Sequence, residues 1–281
     1  MASELGRWAG ACLMAGTIAA AARRARALTA TGAVAATATG AMVMARGGLP
    51  AAAALVVFFV TSSALSRFKA RAKARRGVIV QAKGGERDAR QVLANGGVAA
   101  ACLALAGVRG SGGFLGALGA AGADTWATEL GLLATHPPRL LTTWRPVAPG
   151  TSGGVTLQGS LAGAAGAVAV GAAWTLVQGW RTRAWESVGG AVAVAGVAGT
   201  LGAFVDSALG ATVQAGYRCP NCGQAVETPV HAPCGRPAIL VRGWPWVDND
   251  VVNALATTAG ALAGMVLGRH LLRPLPASRP G

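Results

Sequence analysis

Five of the ten acidic residues lie inside or at the edge of apolar segments. They are Asp124 and Glu129 in GAAGADTWATELGLL, Asp206 in LGAFVDSALGA, and Asp248 and Asp250 in WPWVDNDVVNALA. An ionised carboxylate is costly in hydrocarbon, so such groups face a cavity, a metal or a partner. Acids from three separate segments suggest one polar site inside a bundle. Asp124 and Glu129 are five residues apart, about 140° of rotation on an ideal helix. They address one site only if the helix breaks or the site is wide. Gly119, Gly122 and Gly131 offer a break, and Thr125 and Thr128 offer oxygen ligands. The plainer reading is that these groups bridge helices. Asp206, between Gly202 and Gly210 and near Ser207 and Gln214, either bonds to a neighbouring helix or completes a metal site. Asp250 and Asn253 share a helix face, and with Asp248 they form an oxygen set suited to magnesium. Asp248 or Asn249 is equally suited to capping that helix.

Phosphate chemistry needs cations and backbone donors beside such acids. The loop VAPGTSGGV supplies Thr151, Ser152, Gly153 and Gly154 ahead of an apolar run, a setting that favours anions. It lacks the Lys of a Walker sequence, and a plain turn fits it as well. The segment KGGERDARQVLANGG places Lys83, Arg87 and Arg90 before another apolar run. These are either phosphate ligands or positive-inside anchors. Asn95 puts an amide within the span itself. Cys219, Cys222, His231 and Cys234 have the spacing C-x2-C-x8-H-x2-C, which fits a closed structural zinc site. A disulfide is disfavoured if that loop is cytoplasmic. Cys12 and Cys102 read as buried small hydrophobes. Trp126, Trp144, Trp244 and Trp246 read as interface anchors. His136 and His270 have no cluster around them.

The elements that must position these residues are membrane spans. Apolar residues make up 53% of the chain and charged residues 12%, against about 25% charged in soluble domains. The fold expected is all-α: a polytopic transmembrane helical bundle of about seven to eight spans. The spans run near 7–22, 27–46, 48–66, 91–109, 112–134, 155–178, 187–214 and 250–268. The whole chain, 1–281, reads as one integral membrane domain, with a basic loop at 67–90 and a cysteine-bearing loop at 216–246. WAGACLMAGTIAAAA followed by Arg23, Arg24 and Arg26 suits a retained first helix rather than a cleaved leader. The 42 glycines, among many alanines, favour close helix approach. With the N-terminus outside, 17 Lys or Arg fall in inside loops and 8 outside, so the basic loops are expected to be cytoplasmic. The net charge of +15 is assigned to this bias and to anionic lipid, since no nucleic-acid motif accompanies it. No repeat of fixed period stands out.

Five motifs, in order, carry a resemblance: RDARQVLANGG at 87–97, ADTWATELG at 123–131, TSGGVTLQG at 151–159, VDSALGATVQ at 205–214 and DNDVVN at 248–253. In these the chain resembles the membrane family of unknown-function domain ninety-two, which includes animal transmembrane protein nineteen and plant phytyl-phosphate kinase. The cysteine loop departs from the family pattern. The resemblance implies a kinase that converts phytyl or another polyprenyl monophosphate to the diphosphate, with CTP as the expected donor. Asp124, Glu129 and Asp206 would be catalytic. Arg87, Arg90, Asn95 and the Thr151–Gly154 loop would hold phosphates. Magnesium would sit on Asp124, Asp206, Asp248, Asp250 and Asn253. An acceptor phosphate is already a nucleophile, so no strong base is needed. The rival readings are an ion-coupled transporter using the same carboxylates, a kinase acting on the free lipid alcohol, and a cytidylyltransferase.

Overall fold

Runs of Ala, Gly, Val and Leu become seven α-helices in a computed structural model that describes residues 2–69, 85–183 and 188–272. The helices are α1 (Ala2–Arg24), α2 (Ala30–Arg67), α3 (Ala89–Ala106), α4 (Ser111–Gly131), α5 (Leu157–Thr182), α6 (Val188–Thr212) and α7 (Asn249–Leu271). Most of the basic 67–90 loop, including Lys83, lies outside the described residues.

Among the described residues, six continuous apolar stretches are long enough to cross a membrane, fewer than the seven to eight spans expected. Two of the six double back. A straight α2 of 38 residues would be about 57 Å long, yet both its ends meet Arg87. Thr29 N donates to the Arg87 carbonyl at one end, and the Arg87 guanidinium donates to Ser63 Oγ at the other. The reversal falls at Gly48, whose φ of 68° suits glycine, and Pro50 starts the second arm. The stretch 89–131 is likewise broken by a 3-10 turn at Gly107–Gly110. Arg90 lies at the start of α7, whereas Gly112 lies against Gly268 near its end. The spans expected at 27–46 with 48–66, and at 91–109 with 112–134, are therefore helical hairpins.

α4 runs through the centre of the bundle, packed on α5, α6 and α7. A Cβ on Gly116 would land on the carbonyl oxygen of Gly260, and one on Gly264 on that of Gly112. Backbone contact of this kind takes the place of large side chains in lipid. Phe114, Leu115 and Leu118 of α4, with Val170, Trp174 and Val194, form the apolar core.

The chain's polarity sorts its loops. The 25–29 turn, the start of α3 and the 132–156, 213–248 segments meet at one end, through Arg67–Ala25, Leu28–Arg87, Arg90–Asp248, Ser152–Glu227 and Gly153–Ala211 neighbours. Gly48, the 107–110 turn and the end of α7 lie at the other. Four helices that begin at the first end carry side-chain caps: Thr29, Asp88, Thr156 and Asp248. Such caps satisfy helix N–H groups where the chain leaves the bilayer.

Small β elements decorate this end. β1 (Arg139–Leu140) pairs with β2 (Gly154–Val155). In the cysteine loop, β3 (Gly216–Arg218) lies between β4 (Ala225–Val226) and β7 (Ile239–Arg242), while β5 (Val230–His231) pairs with β6 (Arg236–Pro237).

Candidate functional site

The carboxylates meet at the loop-bearing end, in two groups. In the first, Asp124 comes from the last two turns of α4 and Asp206 from the last two turns of α6. Each is close enough to repel the other, and both feel Glu227 from the cysteine loop. Asp206 Oδ2 is buried with no hydrogen-bond partner among the described residues. Glu227 is held from two sides, by Ser152 Oγ at 2.5 Å and by Gln214 Nε2 at 3.3 Å. Gln214 itself is buried.

Of the two alternatives for Asp124 and Glu129, the broken helix is absent, since α4 is continuous from Ser111 to Gly131. The site is wide instead. Asp124 addresses α6, while buried Glu129 interacts both with Asp124 and with Arg87. The Thr125 hydroxyl donates its proton to Ala121 O at 2.9 Å, which leaves its oxygen lone pairs to accept or ligate. Thr128 is exposed.

Arg87 links three segments. Its backbone pairs with Ala27 and Thr29, its guanidinium donates to Ser63 Oγ at 2.8 Å, and it lies 5.8 Å from the Phe59 ring centroid. Burial pushes the guanidinium below its usual value, the Glu129 carboxylate draws it back up, and Arg67 pushes it down again. Guanidinium stays charged through such shifts. A pocket beside it is lined by Arg26, Ser63, Ser66, Arg67, Gly85 and Arg87. Its three guanidinium groups make it the most cationic recess described at this end.

The second group joins expected metal ligands to an expected phosphate ligand. Arg90 bonds to Asp248 Oδ2 at 2.8 Å and lies 3.7 Å from Asp250 Oδ2. Asp248 also caps α7, its Oδ1 accepting from Val251 N at 3.0 Å. Asp250 and Asn253 are buried on the adjoining turn. Asn95 donates to Gln91 O of its own helix at 2.9 Å.

The TSGG loop is largely satisfied within itself. Thr151 N and Oγ1 both donate to Ala148 O, and Gly154 N donates to Thr151 O. Gly153, at φ 81°, packs its backbone on Ala211 at the end of α6. Ser152 is the group it sends toward the acids. Trp126 is a packing residue rather than an interface anchor: its ring lies on Gly166, and its Nε1 donates to Thr61 Oγ1 at 3.2 Å.

Cys219, Cys222, His231 and Cys234 converge, with ligand atoms all within 4.8 Å of one another. Sequence reasoning missed Glu227. It sits in an exposed polar loop without the apolar context that marks the other acids, and only the folding of that loop brings it to the site.

The family described as integral membrane protein DUF92 matches residues 13–261. Protein PGR of Arabidopsis thaliana is 34% identical over 72% of this chain and 75% of its own length. An uncharacterized membrane protein of Methanocaldococcus jannaschii is 30% identical over 64% of this chain and 62% of its own. Another, from Synechocystis, is 28% identical over 74% and 69%. No solved structure matches the chain. On the extent of the family match and the similarity to Protein PGR, the chain belongs to the integral membrane family DUF92.

Proposed function

We propose that this membrane protein is a prenyl-phosphate kinase, which extends a polyprenyl monophosphate to the diphosphate with a nucleoside triphosphate, CTP being the expected donor. The observation that carries the reading is that Asp124, Asp206 and Glu227 lie near enough to repel one another, with Asp206 Oδ2 buried and without a partner among the described residues, at the same end as a pocket of three arginines. Like charges drawn together this way fit a hard divalent cation. Asp124, Asp206 and Glu227 would hold magnesium there, with Asp248, Asp250 and Asn253 as a second oxygen set. When bound, magnesium supplies charge neutralisation at the nucleotide phosphates.

The chain's own residues do the rest. Arg87, with Arg26 and Arg67 beside it, holds the acceptor phosphate by charge-assisted bonds. Glu129, between Asp124 and Arg87, sets the guanidinium's position. Ser152 and Gln214 fix Glu227. Arg90 is available to a phosphate by exchanging its Asp248 and Asp250 partners for phosphate oxygens. The prenyl tail stays in lipid beside the apolar helices. The transfer needs alignment and charge compensation more than covalent chemistry. By the positive-inside bias, the loop-bearing end is cytoplasmic.

The test incubates the purified protein with labelled CTP or ATP and phytyl or geranylgeranyl phosphate. A magnesium-dependent lipid diphosphate is the expected product. A monophosphate made from free alcohol, or a CDP-lipid with released pyrophosphate, would identify the neighbouring chemistries instead.

A further inference from the structure

We propose that Cys219, Cys222, His231 and Cys234 bind one zinc ion, and that this ion fixes the module that holds Glu227 over Asp124 and Asp206. Neither half rests on the kinase reading.

The four ligand atoms lie within 4.8 Å of one another, close enough for one ion to gather them. Zinc–sulfur and zinc–nitrogen bonds of about 2.3 and 2.05 Å imply an S···N edge of roughly 3.5 Å, and Cys222 Sγ lies 3.5 Å from His231 Nδ1. The His231 Nδ1 therefore faces the sulfurs, while its Nε2 is turned into the module, buried. The first Cys pair forms a tight knuckle: Gly223 N donates to Cys219 O at 2.8 Å, and Cys219 N donates to Gln224 O at 2.9 Å. Gly223 takes a φ of 72°, which that turn requires of glycine. Although the sulfurs are this close, all three cysteines are free thiols rather than disulfide-bonded.

The module also needs a staple. Its strands are two to four residues long. Ile239, Leu240 and Val241 on β7 are exposed, so they add nothing to a core. Units of fewer than about 40 residues seldom hold a fold without a metal or disulfide. Glu227 lies between the two halves of the ligand set, five residues after Cys222 and four before His231. Fixing both halves to one ion fixes the strand β4 end that carries it.

Metal analysis of the full-length protein in detergent should find about one zinc per chain. The Cys219→Ser/Cys222→Ser variant should lose it, and His231→Cys, which keeps four ligands, should retain it. Cobalt in place of zinc should give thiolate-to-metal charge-transfer absorption. Hydrogen exchange across 216–246 should then lose protection in the double variant, with α4 and α6 unchanged. Zinc-free wild-type protein, or unchanged zinc in the double variant, would overturn the site. Zinc loss without any gain in exchange around Glu227 would overturn its positioning role.

Discussion

Among the described residues Asp206 Oδ2 is a buried oxygen without a partner, and Asp206 is repelled by the Asp124 and Glu227 carboxylates. Such a group costs stability, and it persists where function needs it. Asp206→Asn keeps the shape and removes the repulsion. The melting temperature should therefore hold or rise, while diphosphate formation falls by roughly 100-fold or more, the scale of losing one charge-stabilising group. A drop of several degrees instead would make Asp206 a structural carboxylate. Asp248 is of the other kind: it caps α7 and pairs with Arg90. Asp248→Ala should cost about 1 kcal/mol through the cap, read as a shift in thermal unfolding. An unchanged stability would contradict the cap. The acids within apolar runs were readable from residue type alone, because charge in a span always needs a reason. Glu227 was not, since only tertiary folding of a polar loop moves it. Nor could residue spacing show that Arg90 meets Asp248, 158 positions away.

Element by element, the glycine-lined seam between α4 and α7 decides how the acids are placed. Gly116→Val puts side-chain atoms where the Gly260 carbonyl now sits. Parting the helices should destabilise the bundle by about 1–3 kcal/mol or more, the usual range for overpacking, and should move Asp124 away from Asp206. Unaltered stability would mean that the two helices do not touch there. The hydropathy pattern located nearly every helix, because a run of apolar residues must find lipid or core. It also divided 30–67 between two spans at 46–48, where the helix folds back at Gly48; it did not show that one positive-φ glycine, with no polar loop, makes that turn. Nor did it show α4 unbroken: glycines at Gly119, Gly122 and Gly131 are there for close packing rather than for a kink. The short strands of the cysteine loop are similarly beyond pattern reading, being set by loop closure rather than by alternation.

For the whole molecule, the described candidate groups lie at one end, and the arrangement makes a topological prediction. Trp144→Cys and Ile239→Cys should react with an impermeant thiol reagent from one side of the membrane, and Leu5→Cys from the opposite side. All three are exposed. Labelling of position 5 from the same side as 144 would reverse the first helix. That alternate loops gather at one end was accessible from the sequence, because those loops carry the basic residues; the labelling reports which side that end faces. The chemistry was legible only as far as a polar site, as carboxylates serve a carrier and a kinase alike. The central claim is that lipid diphosphate forms at the Asp124, Asp206 and Glu227 carboxylates. The most direct measurement is mass-spectrometric product analysis with phytyl phosphate, CTP and magnesium, comparing wild type with a folded Asp124→Asn variant. Diphosphate from the wild type and its loss in the variant is the predicted result. No diphosphate from the wild type over several chain lengths, with Asp124-dependent ion flux in liposomes, would contradict it.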